Sequence, residues 1–433
     1  KQSGRPAKFR LDRDDDMVIT GKRHEALISY DVGFDADGRI EGIAFEQFIR
    51  CGYAADLSLA VSDRAMFHAD NAYFLPHVDI TSYRCRTHSV SNTAFRGFGG
   101  PQGVIGIERV MDEIAAFLGK DAFEIRCLNL YGGAGRDLTP NQQQVTDKGC
   151  GQIMADLAAQ TDYAGRRAAV RAFNEGHRWQ KKGLALTPVK FGISFTATHL
   201  NQAGALVHVY ADGSVHLNHG GTEMGQGLMI KVAQIVAEEF QIDLDRIKIT
   251  ATHTGKVPNT SATAASSGSD LNGMAAQAAA RTIKNRLIDF ACEKTGVSRD
   301  QVRFEANRVV IGNDEISFDA LVREAYFARI SLSSTGFYKT PDIHYDRAQH
   351  KGRPFYYFAY GAALSEVVID VLTGESRVLA VDILHDVGRS LNPAVDKGQI
   401  EGGFIQGMGW LTTEELVSDA DGHLRTHAPS TYK

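Results

Sequence analysis

Paired cysteines, long apolar runs and an excess of basic residues are all missing from the 433-residue sequence. The five cysteines are odd in number and include no C-x-x-C pair, which argues against a disulfide framework, a zinc site and iron–sulfur ligation within the chain. Unpaired cysteines favour a reducing, cytoplasmic compartment. No apolar run approaches the roughly 18 residues that a membrane-spanning helix needs. With a net charge of −5, the chain has no basic excess for binding nucleic acid.

Several catalytic motifs are also absent. The sequence has no P-loop, no H-E-x-x-H pair and no convincing G-x-S-x-G nucleophile elbow, and GFGGPQG (97–103) does not match G-x-G-x-x-G. No isolated pair of carboxylates suggests a general acid and a general base. Because the chain begins with a polar segment rather than Met and ends on STYK, we expect both ends to be cuts in a longer protein.

The length and the apolar pattern predict several domains of mixed secondary structure. A chain of 433 residues is too long for one core, and a content of 43% apolar and 23% charged residues is typical of globular proteins. The elements predicted in the first part are a β-hairpin over 24–50, a strand over 77–88, a helix over 103–118 ending at Gly119, a polar linker over 130–150 and helical sequence over 151–175.

The second part repeats one order of elements. From 204 the pattern predicts a strand, a turn, a strand and a helix after Gly227, and from 360 a similar order recurs. Because strands and helices mix without strict βαβ alternation, the predicted fold class is α+β. We expect domains at 1–140 and 150–433, the second made of two related halves at about 180–330 and 331–433.

Gly220–Gly227, the glycine loop, lies directly before a predicted helix. Free backbone N–H groups and the positive dipole end of a helix start bind anions, and the Gln226 amide adds two donors and an acceptor. The loop is therefore a candidate ligand site. The alternative is a tight strand–helix connection that binds no ligand.

Residues 259–270, the serine loop, crowd small and hydroxyl side chains ahead of an alanine-rich helix predicted over 270–293. Such a segment can form a nest of N–H donors for an oxyanion. Taken alone, the pattern favours the alternative, a Ser-rich loop that ends in a helix cap at Ser269 or Asp270.

Residues 94–100, the arginine loop, place Arg96 and Phe98 among glycines. The guanidinium fork of Arg96 suits a buried oxygen acceptor, and a presented Phe98 ring suits stacking on a planar ligand. The alternative is that Phe95 and Phe98 both pack into a core.

Two further segments have ordinary interpretations when they are taken alone. KFGISF (190–195) is typical of a buried strand. Arg64 next to Asp63 predicts a solvated surface pair.

Taken together, six segments resemble the molybdopterin-binding region of the xanthine dehydrogenase family, in that family's order. They are TAFRGFGGPQ (93–102), KFGISF (190–195), LNQAGALVHVYADGSVHLNHGGTEMGQG (200–227), PNTSATAASS (258–267), SLSSTGFYKTP (331–341) and GFIQGMGW (403–410). Aldehyde oxidases share much of this pattern. The resemblance implies two molybdenum-cofactor-binding domains of the molybdenum hydroxylase type, with mixed sheets and flanking helices.

The resemblance also implies which residues contact a molybdenum ion that is carried on a pterin cofactor. The implied cofactor-binding residues are Arg96, Met224, Gly225, Gln226, Ala265, Ser266, Ser267 and Gln406. Of these, Arg96 and Ala265 are implied to lie nearest to the molybdenum.

For the substrate, the resemblance implies that Phe98 and Phe195 enclose a purine ring and that the Thr196 hydroxyl contacts it. Leu57 and Leu200 are implied to line the entry channel. Arg64 resembles the arginine that binds a purine oxygen as negative charge develops there, which replaces the surface-pair interpretation. Aldehyde oxidases generally lack an arginine at that position.

The activity implied is hydroxylation of hypoxanthine to xanthine and of xanthine to urate, with oxygen from water. Electrons are implied to pass to [2Fe-2S] clusters and FAD on a partner domain or subunit, with NAD as acceptor, in a cytoplasmic assembly that is dimeric. The general-base glutamate is implied to lie after Lys433. The alternatives are an aldehyde oxidase or another azaheterocycle hydroxylase, a non-catalytic module that holds a pterin, and a phosphate-binding protein without metal.

Overall fold

The computed structural model describes residues 3–133, 135–147, 149–253, 255–256 and 259–432. The helices are α1 (Arg13–Ile19), α2 (Ser58–Phe67), α3 (Gly100–Leu118), α4 (Ala122–Asn129), α5 (Gly149–Gln160), α6 (Tyr163–Gly176), α7 (Leu228–Phe240), α8 (Met274–Thr295), α9 (Phe318–Phe327) and α10 (Pro393–Thr412). The strands are β1 (Ala26–Phe34), β2 (Ile40–Gly52), β3 (Val78–Arg86), β4 (Gln180–Ile193), β5 (Gln202–Val209), β6 (Val215–His219), β7 (Ile247–Ile249), β8 (Val302–Glu305), β9 (Arg308–Ile311), β10 (Asp314–Ser317), β11 (Ser333–Lys339), β12 (His344–Asp346), β13 (Lys351–Arg353), β14 (Tyr357–Asp370) and β15 (Ser376–His385). The predicted α+β class with mixed sheets and flanking helices is confirmed.

The chain divides into two compact units. Unit 1 comprises Lys1–Phe191, Ala359–Val387 and Lys397–Lys433, and unit 2 comprises Gly192–Phe358 and Gly388–Asp396. The two compact units do not have the predicted domain boundaries, because each unit is made of separate segments of the chain. The following boundaries therefore stay predictions: domains at 1–140 and 150–433, and halves at about 180–330 and 331–433.

The first sheet of unit 1 has the strand order β1-β2-β3. β1 and β2 form an antiparallel hairpin, and β2 pairs in parallel with β3, with Ile43 opposite Val78. The Asp35 carboxylate accepts two backbone N–H groups of the hairpin turn, each at 2.9 Å. The hairpin predicted over 24–50 and the strand predicted over 77–88 are confirmed.

Helix α3 supplies the main core of unit 1. Its buried face recurs every three or four residues, at Ile107, Val110, Met111 and Ile114, and this face belongs to one apolar cluster with Phe45 of β2. The helix begins at Gly100, three residues before its predicted start, and ends before Gly119 as predicted.

A second sheet of unit 1 has the order β15-β14-β4. Helices α5 and α6 cover it, and together they bury a small apolar cluster of Met154, Leu157, Tyr163, Val170, Leu184, Leu186, Ala362 and Leu364. The helical sequence predicted over 151–175 is confirmed and forms two helices.

Unit 2 is built on a mixed sheet of order β11-β5-β6-β7, in which β5 and β6 form the predicted hairpin. Helices α7 and α8 supply most of its core. Four alanines in the first half of α8, Ala275, Ala276, Ala279 and Ala280, face inward, and each is 0% exposed. Their small side chains allow α8 to lie close to the sheet, which explains the alanine-rich composition.

Two predictions about connecting segments are wrong. The segment predicted as a linker packs into unit 1, where Asn141, Gln143 and Val145 are buried. The chain before α8 is a π-helical turn, Ser269–Gly273, with no side-chain cap. Asp270 instead accepts a hydrogen bond from the Tyr357 hydroxyl at 2.9 Å.

Candidate functional site

Helix α2 of unit 1 carries Arg64 in a buried position. The residue is 4% exposed, and its guanidinium carbon lies 4.6 Å from the centre of the Phe191 ring. Burial lowers the pKa of Arg64 to about 9. The interpretation of Arg64 and Asp63 as a solvated surface pair is wrong, because Asp63 is 7% exposed and forms its ion pair with Arg84.

The arginine loop packs directly against α2. A Cβ atom at Gly99 would collide with the carbonyl oxygen of Val61, and one at Gly103 would collide with that of Ala65. Only glycine permits this close approach. The loop that presents Phe98 therefore lies against the helix that carries Arg64.

Phe98 and its neighbour Phe95 do not both enter a core. Phe98 is half-buried and has a left-handed backbone, with φ of 53°. Phe95 is 39% exposed, and the Arg23 guanidinium lies 4.2 Å from its ring centre. The alternative that both rings are core residues is therefore wrong for Phe95.

Arg96 hydrogen-bonds to the part of α10 that belongs to unit 1. Its Nη2 donates to the Gln399 carbonyl oxygen at 2.7 Å and to the Gln399 side-chain oxygen at 3.2 Å. Gln406 follows two turns later on the same helix. Within the described part of the chain, its Oε1 is buried and accepts no hydrogen bond. Leu57, which precedes α2, is 43% exposed.

In unit 2 the structure brings the glycine loop and the serine loop together. The Thr222 N–H donates to Thr263 Oγ1 at 2.8 Å. A side chain at Gly220 would collide with Thr260. The two loops that the sequence nominated as cofactor contacts in this unit are therefore neighbours.

Glu223, which the sequence reasoning did not nominate, binds the N–H groups at the start of α7. Its Oε1 accepts from Gly225 and Gly227 at 3.0 and 2.9 Å, and its Oε2 accepts from Met229 at 2.9 Å. Although partial burial raises the pKa of Glu223, these backbone donors lower it below its ordinary value overall. The interpretation of these N–H groups as free donors for an anion is wrong. An acidic residue shortly before a helix start was the available signal.

Gln226 closes the rest of the glycine loop. Its Oε1 accepts from the Met224 N–H at 2.5 Å, and its Nε2 donates to the Thr222 carbonyl oxygen at 2.8 Å. Met224 itself is 65% exposed. The roles of Met224, Gly225 and Gln226 as cofactor contacts stay predictions.

The serine loop contains two consecutive residues in the left-handed region, Ala265 with φ of 56° and Ser266 with φ of 57°. Neither residue is glycine, and such conformations persist only where the surroundings impose them, often at ligand sites. Ser267 is buried, and its hydroxyl donates to the Ala264 carbonyl oxygen at 3.3 Å.

Phe195 and Thr196 lie just after β4, on a turn that Asn201 closes. The buried Asn201 side chain accepts from the Phe195 N–H and donates to the Phe195 carbonyl oxygen, each at 2.8 Å. Phe195 packs against the core of unit 2. Leu200, half-buried, ends the same turn.

His219 ends β6 beside the glycine loop and is 2% exposed. Its Nδ1 accepts the Gly221 N–H at 3.1 Å, so the hydrogen of the neutral ring is on Nε2. Among the described residues, Nε2 has no hydrogen-bond partner. Burial lowers the pKa of His219 to about 4.

Solved structures with this fold include two oxidoreductases, one of which is named for molybdenum. Quinoline 2-oxidoreductase from Pseudomonas putida 86 superposes with a TM-score of 0.84 at 22% identity, over 98% of this chain and 55% of that one. The Cu,Mo-CO dehydrogenase gives 0.81 at 19% identity, over 98% and 55%. At this identity the likeness shows the fold alone.

The sequence makes the assignment specific: the chain belongs to the molybdopterin cofactor-binding domain family, which matches residues 1–130 and 156–433. The xanthine dehydrogenase/oxidase of Mus musculus is 46% identical over 432 residues, which is 100% of this chain and 31% of that protein. The xanthine dehydrogenase of Calliphora vicina is 46% identical over 430 residues, which is 99% and 30%. The predicted family resemblance is confirmed, and the chain spans about a third of the length of these relatives. No helix in the described residues is both long enough and apolar enough for a membrane span.

Proposed function

We propose that this chain is the cofactor-binding part of a molybdenum-dependent hydroxylase that converts hypoxanthine to xanthine and xanthine to urate with oxygen from water. The observation that carries the proposal is 46% identity, over 432 residues, to a protein named xanthine dehydrogenase/oxidase. The buried Arg64 supports a purine rather than an aldehyde as substrate.

The residues of each unit fit a pterin-held molybdenum. In unit 1, the buried Gln406 Oε1 lacks a donor among the described residues. In unit 2, Gly225 has a φ of 93° and an added Cβ would meet nothing within 4 Å, so a ligand can approach its backbone. The residues that would hold the cofactor are Arg96, Met224, Gly225, Gln226, Ala265, Ser266, Ser267 and Gln406. When bound, the molybdenum centre supplies two-electron oxidation of a substrate carbon.

The chain's own residues bind and polarise the purine. Arg64 donates to a purine oxygen and stabilises the negative charge that develops there, and its buried position makes this charge effective. Phe98 and Phe195 are the proposed ring contacts, and Thr196 is the proposed hydroxyl contact. Leu57 and Leu200 supply apolar lining. The general-base glutamate lies outside residues 1–433.

The electrons leave through groups that other parts of the protein supply. All five cysteines are free thiols, and their dispersal supports [2Fe-2S] clusters on a partner domain or subunit, which we propose also carries FAD. NAD is the proposed acceptor, in keeping with relatives named dehydrogenases. The free thiols also support a cytoplasmic location, and we propose a dimeric assembly.

The proposal is tested on the full-length protein by elemental analysis for molybdenum and by steady-state kinetics of Arg64→Met. Losing a charged donor in a buried site lowers kcat/KM for hypoxanthine by about 100- to 1000-fold. The loss on a simple aldehyde is much smaller, since that substrate has no purine oxygen to stabilise.

Arg109→Met, on the exposed face of α3, is the matched control and retains wild-type kinetics. Equal losses on hypoxanthine and on the aldehyde would contradict the role of Arg64. A wild-type protein without molybdenum would contradict the function itself.

A further inference from the structure

We propose that Glu223 is a positioning residue that fixes the backbone of Met224–Gln226 in the conformation that receives the pterin cofactor. The inference rests on the proposed function. Glu223 makes its hydrogen bonds within its own loop and the first turn of α7, so it acts on the cofactor only through that backbone.

One carboxylate satisfies three backbone donors spread over five residues. Gly225 and Gly227 donate to Oε1, and Met229, in the first turn of α7, donates to Oε2, all at 2.9–3.0 Å. An ionised carboxylate is suited to this task because both of its oxygens only accept. A negative charge at a helix start is also favourable, because the unpaired N–H groups there carry partial positive charge.

These bonds determine the shape of the segment between them. Gly225 and Gly227 have φ angles of 93° and 76°, and both of their N–H groups point to the same oxygen. Gln226 completes the loop through Met224 and Thr222. With Met224 and Gly225 bonded within the loop and Gly227 bonded just after it, the remaining polar groups of Met224–Gln226 are preorganised for a ligand.

A glutamine at this position cannot reproduce the arrangement. The amide has nearly the shape of the carboxylate, but one of its two acceptor oxygens is replaced by a nitrogen that donates. Either Met229 or the pair Gly225 and Gly227 then faces a donor. Because the Glu223 side chain is exposed, the substitution leaves no buried charge, so the effect falls on loop conformation rather than on the stability of unit 2.

The test compares four full-length proteins: wild type, Glu223→Gln, Glu223→Asp and Glu238→Gln. Glu238 is an exposed acid in the last turn of α7 and serves as the matched control. The readouts are molybdenum by elemental analysis, pterin by fluorescence after oxidation, thermal unfolding of protein produced without molybdate, and kcat and KM for hypoxanthine per molybdenum.

We expect Glu223→Gln to lower molybdenum and pterin content together by about 10-fold, the size of effect found for residues that orient metal ligands. We expect the unfolding temperature of Glu223→Gln to equal that of Glu238→Gln. The remaining loaded enzyme shows a lower kcat and an unchanged KM. Glu223→Asp keeps both acceptor oxygens on a shorter side chain, so its molybdenum and pterin content lies between that of Glu223→Gln and that of the wild type. If Glu223→Gln protein cannot be produced, Glu223→Asp is compared with Glu238→Gln in its place.

Cofactor content in Glu223→Gln equal to that of Glu238→Gln overturns the inference while leaving the proposed function intact. A parallel fall of cofactor content and unfolding temperature also overturns it, since that result describes a purely structural residue. A wild-type protein that lacks both molybdenum and pterin overturns the proposed function and the inference together.

Discussion

Units 1 and 2 each fix a carboxylate, and they do so by opposite means. In unit 1, Asp70 is 0% exposed and pairs with Lys190, which is 2% exposed, at 3.1 Å. Tyr131 donates to the same carboxylate at 2.6 Å. In unit 2, the exposed Glu223 relies on backbone N–H groups alone.

The surroundings of these two carboxylates move their pKa values in opposite directions. Burial raises the pKa of Asp70, against the opposing effects of Lys190 and Tyr131. The backbone donors lower that of Glu223, although burial opposes them. The buried Asp70 carboxylate therefore needs the charge of Lys190, and losing that charge destabilises the residues packed around it. The exposed Glu223 carboxylate affects the conformation of its loop and not the stability of the core.

The largest effect is expected when the countercharge of Asp70 is removed. Lys190→Met leaves an uncompensated carboxylate in the interior, and we expect it to reduce the stability of β4 by about 3–5 kcal/mol. Hydrogen exchange of peptides that cover β4 in the full-length protein measures the free energy of local opening.

Lys182→Met is the matched control on the same strand, because Lys182 pairs with Glu366 at 3.1 Å with both side chains only half-buried. That pair is expected to contribute about 1 kcal/mol or less. Adding Asp70→Leu to Lys190→Met removes both charges and restores most of the stability. If Lys190→Met lowers the free energy of local opening by no more than Lys182→Met does, the buried pair of Lys190 and Asp70 is not needed to stabilise β4.

Unit 2 contains a buried titratable base, His219, whose effect on stability can be compared with that of the buried Asp70 in unit 1. Because burial lowers the pKa of His219 to about 4, the folded protein binds fewer protons here than the unfolded chain does below pH 6.5 or so. The free energy of unfolding is therefore highest above the pKa that His219 has in the unfolded chain. It decreases as the pH falls from that value toward the pKa of His219 in the folded protein.

For His219 this loss amounts to about 2 kcal/mol between pH 7 and pH 5. His219→Asn keeps an acceptor for the Gly221 N–H but does not titrate, so its local stability around β6 should depend less on pH by that amount. The measurement is hydrogen exchange of β6 peptides at both pH values, corrected for intrinsic rates. An identical pH dependence in wild type and variant would contradict the role of burial.

The sequence predicted those elements whose signals are local. The β5–β6 hairpin follows from its Asp-Gly turn, and α3 follows from its apolar spacing and from Gly119 at its end. The family resemblance nominated the glycine loop, but not the hydrogen bonds of Glu223 within it. The hydrogen-bond partners of Glu223 lie within six residues of it, so an acid ahead of a helix start was the local signal that could have found them.

What the sequence could not predict depends on contacts between distant residues. Lys190 and Asp70 are 120 positions apart, so no local pattern marks them as a pair. Arg64 has the local pattern of a surface residue but is buried, because Gly99 and Gly103 let the chain close over α2. The polar segment predicted as a linker has a buried part around Thr139 and Gln143, whose polar groups bond to one another, as when Gln143 N–H donates to the Thr139 hydroxyl at 3.0 Å.

The smallest effect is expected at the second residue that closes the glycine loop. Gln226→Ala removes the bonds to Met224 and Thr222 but leaves the three N–H groups on Glu223 in place. One or two neutral hydrogen bonds contribute about 1 kcal/mol, which corresponds to a roughly fivefold fall in molybdenum content. Elemental analysis beside Glu223→Gln measures both losses on one scale. Unchanged metal in Gln226→Ala would remove Gln226 from the cofactor contacts, and a loss larger than that of Glu223→Gln would mean that the amide, rather than the carboxylate, sets the shape of the loop.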